Sequence, residues 1–515
     1  MADPNLPLDE QLRREILRAR ERVYHVGQPT PIERLALPGE GPEIWVKRED
    51  LGPIKAYKWR GAYNRMAMLT PAEAANGAVT ASAGNHAQGV ALASRMLGIP
   101  ARIHMPRTTP GVKLAAVRAH GGGLAEIILS GDSYDDSVVA ARADADARGA
   151  VYIHAYDDLQ VIAGQGTLAD EVVLSGHGPF DAAFLQIGGG GMAAGVSCWL
   201  KSYWPAIRLF GVEGEGQACM KAAFEAGRPV RLDSLDIFSD GTAVRQAGDL
   251  PFAICRATLE GVVTVTHAEL GRAMRALWEG LRCISEPAGA MGLAGALQRR
   301  SEWAGKKVLV VQCGANIDFL QLGLIAQSEG AADREKRVLR IRISEEPGSM
   351  LRLLDSCLQG FDVADFLYGK QHARDAWPVF GIAAQDVADF AELKARLDRH
   401  GFAWEDVTGA IDVRFRAIPL RGDLLAYPLF LNLEFYERPG ALHDFLDKTL
   451  RGKANFCYFN YRLSGERVGR ALIGLEFDSA EHRAAFLAEL APRGDGYRSC
   501  APVPADVHSR LVGIG

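Results

Sequence analysis

AAFLQIGGGGMAAG, residues 182–195, reads as a short apolar run, then four consecutive glycines, then a segment of small residues with helical character. A run this short and this apolar, closed by glycine, fits a strand buried on both faces. The same succession recurs on either side of it. Short apolar runs at 43–47, 77–81, 101–105, 150–153, 207–212 and 306–312 alternate with longer helical patterns that end in Gly. That alternation predicts an α/β fold built on open, mostly parallel sheet with helices on both faces.

Upstream, Leu8, Leu12, Ile16, Ala19 and Val23 lie along one stripe of a helical wheel, which predicts an amphipathic helix ended by Pro29 and Pro31. Downstream, the polar stretch EGAADREKR near residue 330 predicts a boundary, so that residues 1–330 form the first domain. Beyond it Leu339, Ile341 and Ile343 alternate with polar residues, as in a strand buried on one face, and EEPGSMLRLLDSCL follows as turn and helix. About ninety residues on, LFLNLEF (429–435) and ERPGALHDFLDKTL repeat the unit, with Pro347-Gly348 and Pro439-Gly440 at the same place in each. Two copies of a small α+β module, 331–420 and 421–515, are expected.

The composition is that of an ordinary folded protein. Apolar residues make up 48% of 515 and charged residues 23%, and the formal net charge of -5 leaves no basic surface for nucleic acid or an anionic membrane. Residues 1–24 hold no apolar leader core and no long uncharged apolar stretch occurs, so a cytoplasmic protein is expected. The eight cysteines form no C-x-x-C pair, which argues against a zinc site or a disulfide framework, and no metal is expected.

Four separated segments carry residues suited to chemistry. KAYKWRGAYNRM (55–66) places Lys58 after a strand and loop, at the opening of a helix, though a lone lysine in such a place is usually a solvated surface residue. SAGNHAQG begins at Ser82 after a strand; Gly84 and small neighbours let a ligand approach the backbone, and helix-start amides suit a carboxylate. Its plainer reading is a helix cap by Ser82 or Asn85, with His86 a structural hydrogen-bonding residue. QIGGGGMAAG suits a phosphate through exposed amides and the helix dipole, or else serves tight packing; it matches neither a dinucleotide nor a nucleotide-triphosphate fingerprint. VLVVQCGANIDF puts Cys313 at the carboxyl end of a central strand, where open α/β sheets bind ligands. An amine nucleophile, a carboxylate cradle, a phosphate cradle and a weak hydrogen-bonding group together are what pyridoxal-5'-phosphate (PLP) chemistry requires.

At these residues the sequence resembles the threonine ammonia-lyase (threonine dehydratase) family of tryptophan-synthase-β-like, fold type II PLP enzymes, in its long biosynthetic form with a regulatory tail. The resemblance covers almost the whole chain and is carried by Y-K-W-R-G-A, S-A-G-N-H-A-Q-G, I-A-G-Q-G-T (162–167), G-G-G-G-M, S-E-P-A-G-A (285–290) and C-G-A-N (313–316). It implies that Lys58 holds PLP as the internal Schiff base and removes the α-proton, and that Asn85 bonds the cofactor's 3'-oxygen. Gly188, Gly189, Gly190, Gly191 and the amide of Met192 would bind the phosphate, and Cys313 would face the pyridine nitrogen. Ser82, Gly84, Asn85 and His86 would line the substrate carboxylate pocket. Most relatives read S-F-K-[LI]-R-G at the lysine, where this chain has Ala56, Tyr57 and Trp59; Tyr57 can still pack flat on the pyridine ring, but its hydroxyl needs a partner.

The reaction so implied is elimination of water and ammonia from L-threonine, or L-serine, to 2-oxobutanoate or pyruvate, feeding isoleucine biosynthesis. A β-replacement enzyme or racemase on the same fold is one alternative. The other is an amino-acid sensor that has lost activity, against which Lys58, Asn85 and the glycine loop count. The tail resembles paired ACT-like regulatory modules, which implies isoleucine or valine as effectors and a homo-oligomer, a tetramer. The second module keeps F-N-Y-R at 459–462 while the first reads F-L-Y-G at 366–369, so Gly369 predicts that one effector site is altered or absent.

Overall fold

The computed structural model describes residues 6–332, 335–344, 346, 349–367, 374–384, 387–414, 425–436, 445, 453–461, 468–490 and 497–512. Its contacts divide the chain into two units, Met1–Asp318 and Phe319–Gly515. In the first, the strands are β1 (Ile32–Leu35), β2 (Glu43–Arg48), β3 (Ala78–Ala81), β4 (Ala101–Met105), β5 (Ala125–Leu129), β6 (Val151–Tyr152), β7 (Ala182–Gln186), β8 (Arg208–Gly214), β9 (Gly261–Val265) and β10 (Lys307–Gln312). All seven apolar runs become strands, but the chain shares them between two sheets.

One sheet has the order β1-β2-β10-β7-β8-β9 and the other β5-β4-β3-β6. Pairing is parallel throughout except at β1, which runs antiparallel to β2. The strands that no continuous apolar run announced, β1, β5 and β9, all lie at sheet edges. There one side is open, and the sequence need not be apolar on every residue.

Leu8–Val23 is a helix, and Leu12, Ile16, Ala19 and Val23 are buried along its stripe. It stops at Val23, six residues ahead of Pro29, with Arg20 and Arg22 in its last turn, where cations favour the helix dipole. This helix packs on Leu159–Leu174, whose start is capped by Asp158 accepting from the amides of Gln160 and Val161. The glycines of I-A-G-Q-G-T make the close packing possible. A Cβ on Gly166 would come within 2.5 Å of Ile16, and one on Gly164 within 2.6 Å of the Arg60 carbonyl and of the Gly61 Cα.

Under the helix Trp59–Met66 lies a buried charge cluster. Arg60 donates to Glu49 at 2.8 and 2.9 Å and to Glu171 at 2.6 and 3.1 Å. Lys47 donates to the Thr30 carbonyl at 2.6 Å and pairs with Glu171. Two cations balance two carboxylates, so burial leaves no net charge without a partner. Burial alone would raise the Glu49 carboxyl, yet Arg60 and Lys47 beside it pull it down to about 2.

The second unit opens with the helix Phe319–Ala332, and a strand begins at Glu335, so the polar stretch near 330 is largely ordered structure. Leu339, Ile341 and Ile343 are buried, as their alternation predicts. Two four-stranded antiparallel sheets follow, one of Glu335–Ile341, Asp362–Leu367, Val379–Ala384 and Trp404–Asp406, the other of Leu429–Tyr436, Asn455–Tyr461, Val468–Glu476 and Ser499–Pro502. In each the spatial order is second, third, first, fourth, and each has a register shift in its second strand, at Val363/Asp365 and at Phe456/Tyr458. Helices Val387–Arg399 and Ala480–Glu489 both join third strand to fourth. A shared order, a shared irregularity and a shared helix are what an internal duplication leaves. Pro347, Gly348, Gly369, Pro439, Gly440, Arg462 and the expected junction at 420/421 lie outside the described residues.

Candidate active site

The four segments meet in the first unit at the carboxyl ends of the strands. Cys313 follows β10, the glycine loop follows β7 and Ser82 follows β3, which is where parallel sheets leave a crevice for ligands. Lys58 is brought there by backbone pairing. The Tyr57 amide donates to the Cys313 carbonyl at 3.1 Å, the Ala315 amide donates to the Lys55 carbonyl at 2.9 Å, and Ala56 bridges Gly314. The lysine segment is thus laid along C-G-A-N. A second restraint comes from the helix Asn85–Leu97, where a Cβ on Gly89 would come within 3.1 Å of the Lys58 carbonyl and the Trp59 Cα.

Lys58 is half-buried and its Nζ donates to the Gly241 carbonyl at 3.5 Å. Burial lowers its pKa below the ordinary lysine value, and Lys113 adds to that, against Cys313 and Glu286, which favour the ammonium. Cys313 is buried, with its Sγ 3.5 Å from the Ala288 carbonyl. Burial first, and Glu286 second, push its thiol up to about 12, so the group is neutral near pH 7. Tyr57 packs partly buried against the same core cluster as Cys313, and burial raises its phenol well above the ordinary value.

Asn85 is held at both ends of its amide. Its Nδ2 donates to Glu286 Oε1 at 2.7 Å, and its Oδ1 accepts from Asn316 Nδ2 at 2.8 Å. This fixes which end is nitrogen and leaves one N–H to donate elsewhere. The sequence reading gave Glu286 and Asn316 no role, although both stand in quoted motifs. The sequence shows only a Glu directly before Pro287; in the structure Glu286 is the cap residue of the apolar helix Pro287–Gln298 yet makes no capping bond. Burial raises the Glu286 carboxyl, against Lys113, the Asn85 bond and Lys58.

The glycine loop turns on Gly190, at φ +96, a backbone that favours glycine. Cβ atoms here would strike Tyr156 at Gly189 (2.2 Å), Met220 at Gly190 (2.7 Å) and the Tyr156 carbonyl at Gly191 (2.9 Å). Packing therefore requires these glycines, which the sequence left open. Packing also leaves the first amides of the helix Gly191–Tyr203, Met192 among them, without a carbonyl one turn back. Behind the loop, Glu213 accepts from the amides of Met220 and Lys221 at 2.8 and 2.9 Å, and burial raises that carboxyl to about 7.

Ser82 is buried and its Oγ accepts from the Gly84 amide at 3.2 Å. A Cβ on Gly84 would meet nothing within 4 Å, so this turn borders open space. His86 is fully buried with Nε2 3.1 Å from the Ile153 carbonyl, and burial holds its imidazole down at about 3. It is an uncharged partner of the backbone, in keeping with the plainer of its two readings.

These residues fit PLP. The donor set pairs a lysine amine of lowered pKa with free helix-start amides for a dianion, an oriented Asn N–H for an anionic oxygen, and a neutral thiol. Among the described residues no group of three or more His, Cys, Asp or Glu could hold a metal ion, and no helix is long and apolar enough to cross a membrane.

Comparison with known proteins agrees with this donor set. Residues 23–314 match the family described as pyridoxal-phosphate dependent enzyme, and residues 428–501 match the C-terminal regulatory domain of threonine dehydratase. The chain is 37% identical over 493 residues to the biosynthetic L-threonine dehydratase of Burkholderia multivorans, covering 94% of this chain and 96% of that one. It is 35% identical to its counterpart in Escherichia coli, covering 93% and 94%. Among solved structures, the processed form of threonine deaminase isoform 2 from Solanum lycopersicum aligns at 35% identity and TM-score 0.59, over 62% of this chain and 89% of that one. Maize serine racemase aligns at 30% and 0.55, over 62% and 97%. The chain belongs to the pyridoxal-phosphate dependent enzymes, in the threonine dehydratase family whose members carry a C-terminal regulatory region.

Proposed function

We propose that the first unit dehydrates and deaminates L-threonine, and L-serine as a second substrate, to a 2-oxo acid and ammonia. The observation that carries this reading is the placement of the Lys58 amine beside neutral Cys313, oriented Asn85 and the glycine loop. PLP, when bound, supplies an electron sink for the bond at the substrate α-carbon. Lys58 takes the α-proton at Nζ, and burial, by lowering its pKa, favours the free amine that does so. Asn85 would donate its remaining N–H to the cofactor's 3'-oxygen, and the amides of Gly188 to Met192 would hold the phosphate. Ser82 and the Gly84 turn receive the substrate carboxylate in the open space beside them. Cys313, being neutral, leaves the pyridine nitrogen without a counter-charge.

Serine racemases share the fold, so β-replacement and racemisation are the competing chemistries. Likeness of residues 428–501 to the regulatory domain of threonine dehydratase favours elimination. The second unit binds a small-molecule effector, and isoleucine and valine are the candidates to test. A homotetramer and a cytoplasmic location complete the proposal.

The test is a substrate panel with 2-oxo acid and ammonia detection, run on the wild type and on Lys58→Ala. Threonine should be turned over by the wild type, and Lys58→Ala should lose at least about a thousandfold in kcat while keeping its fold. Full activity in that variant would remove Lys58 from the reaction.

A further inference from the structure

Residues 227–248 link the helix Cys219–Ala226 to the helix Asp249–Thr258 with no helix or strand of their own. A coil of this length inside a folded unit is uncommon and usually has a function. Its base belongs to the lobe of the six-stranded sheet. Gln217, just after β8, donates to the carbonyls of Asp236 and Ser239 at 2.8 and 2.9 Å and accepts from the Thr242 hydroxyl at 2.9 Å. From there ion pairs join the strap to the lobe of the four-stranded sheet. Asp240 pairs with Lys113, on the helix Gly111–Gly121 that follows β4. Arg231 and Arg245 pair with Asp135, at the start of the helix Tyr134–Arg148.

The two crossings differ in their access to water. Side-chain exposure is 11% for Lys113 and 15% for Asp240, against 56% for Arg231 and 39% for Asp135. Exposed pairs are weak and screened by salt, so the Lys113–Asp240 pair dominates the crossing. Directly beyond Asp240 the strap touches the site. The Gly241 carbonyl accepts from Lys58 Nζ, and a Cβ on Gly241 would lie 3.5 Å from Glu286 Oε1. Thr242 lies against the glycine loop, where a Cβ on Gly188 would come within 3.0 Å of it.

We propose that the Lys113–Asp240 pair is a latch between the two lobes. Closed, it holds residues 239–242 over Lys58 and the glycine loop; open, it frees the strap to admit and release a small amino-acid substrate. Lys113 and Asp240 are positioning residues, acting through the strap. A latch that favours the closed complex tightens apparent substrate binding by the closure constant, while kcat follows only the closed fraction. Weakening it therefore raises KM before it lowers kcat.

The test uses the full chain. In Lys113→Met and in Asp240→Asn, hydrogen exchange of the 236–242 amides should quicken by about tenfold, KM for L-threonine should rise by about tenfold, and kcat should fall by less than about threefold. Lys113→Arg, and the charge-exchanged pair Lys113→Asp with Asp240→Lys, should recover most of both effects. Unchanged exchange at 236–242 in Asp240→Asn would overturn the latch, as would a kcat loss matching the KM rise or a charge-exchanged protein no better than the single variants. The kinetic arm rests on the lyase reading. The exchange arm does not, so a wild type without lyase activity would sink that reading and leave the latch to be judged by exchange.

Discussion

Replacing Arg60 by Met keeps much of the volume and removes one charge from the buried cluster. Five hydrogen bonds go with it: two to Glu49, two to Glu171 and one to the Thr167 hydroxyl at 3.1 Å. Glu49 and Glu171 then share Lys47 as their remaining cluster cation, and one negative charge is stranded out of reach of water. Breaking a buried pair from one side costs about 3–5 kcal/mol. For a unit of this size that is a fall of roughly 4–8 °C in Tm. Thermal unfolding of the full chain, followed by intrinsic fluorescence at pH 7.5, reads the shift at the first transition. A second substitution, Glu49→Gln in the Arg60→Met background, removes the stranded charge and should return part of the loss. An Arg60→Met protein melting within about 2 °C of the wild type would refute the argument. So would a double variant whose losses simply add, because it would show the charges to be uncoupled.

Three further outcomes follow from the site. Gly190→Asp puts a side chain at positive φ against Met220 and a carboxylate in the anion cradle; dialysed protein should lose PLP absorbance with its far-ultraviolet spectrum kept, and normal occupancy would mean that the loop serves packing alone. Glu286→Gln removes a carboxyl whose folded pKa is raised, a group that subtracts stability above its unfolded value and subtracts it fully once pH passes the folded one. The variant should melt at or above the wild-type temperature at pH 8 yet lose about tenfold in kcat/KM as Asn85 loses its charged partner; a lower Tm at pH 8 and an equal one at pH 4 would reverse the sign. Cys313→Asp should still bind PLP but raise the ratio of α-proton exchange to elimination, and an unchanged ratio would place Cys313 away from the ring.

What the sequence made legible was whatever periodicity and glycine punctuation encode. The apolar runs became strands because parallel strands are buried on both faces, and Leu12, Ile16, Ala19 and Val23 faced inward as a helical stripe must. The edge strands β1, β5 and β9 left no such trace, and no local pattern says which strands share a sheet. The boundary expected near 330 and the division by contacts at Asp318 stand some dozen residues apart. The charged stretch 329–337 spans the end of the helix Phe319–Ala332 and the start of the strand Glu335–Ile341. Lys58, Asn85 and Cys313 were singled out through motifs, and the structure brings them together. Glu286 and Asn316 were missed because their importance is a pairing with Asn85 more than 200 residues away. Lys113 and Asp240 were missed likewise, since nothing near either residue announces the other.

The place of β10 in the six-stranded sheet has a consequence for synthesis. It pairs with β2 on one side and β7 on the other, yet it is the last strand of its sheet to be made. About 120 residues separate it from β7, which at roughly 5–20 residues per second leaves a slot open on the ribosome for roughly 6–24 s. Through that interval two apolar strands present unpaired edges, the kind of surface on which nascent chains associate wrongly. Cys313 and Asn316 arrive with the strand that closes the slot, so the cofactor cannot meet a finished site earlier. Nonsense mutations ahead of Lys307 should accordingly yield insoluble protein instead of a folded, inactive one, and the soluble yield of the intact chain should depend on chaperone supply while β10 is awaited.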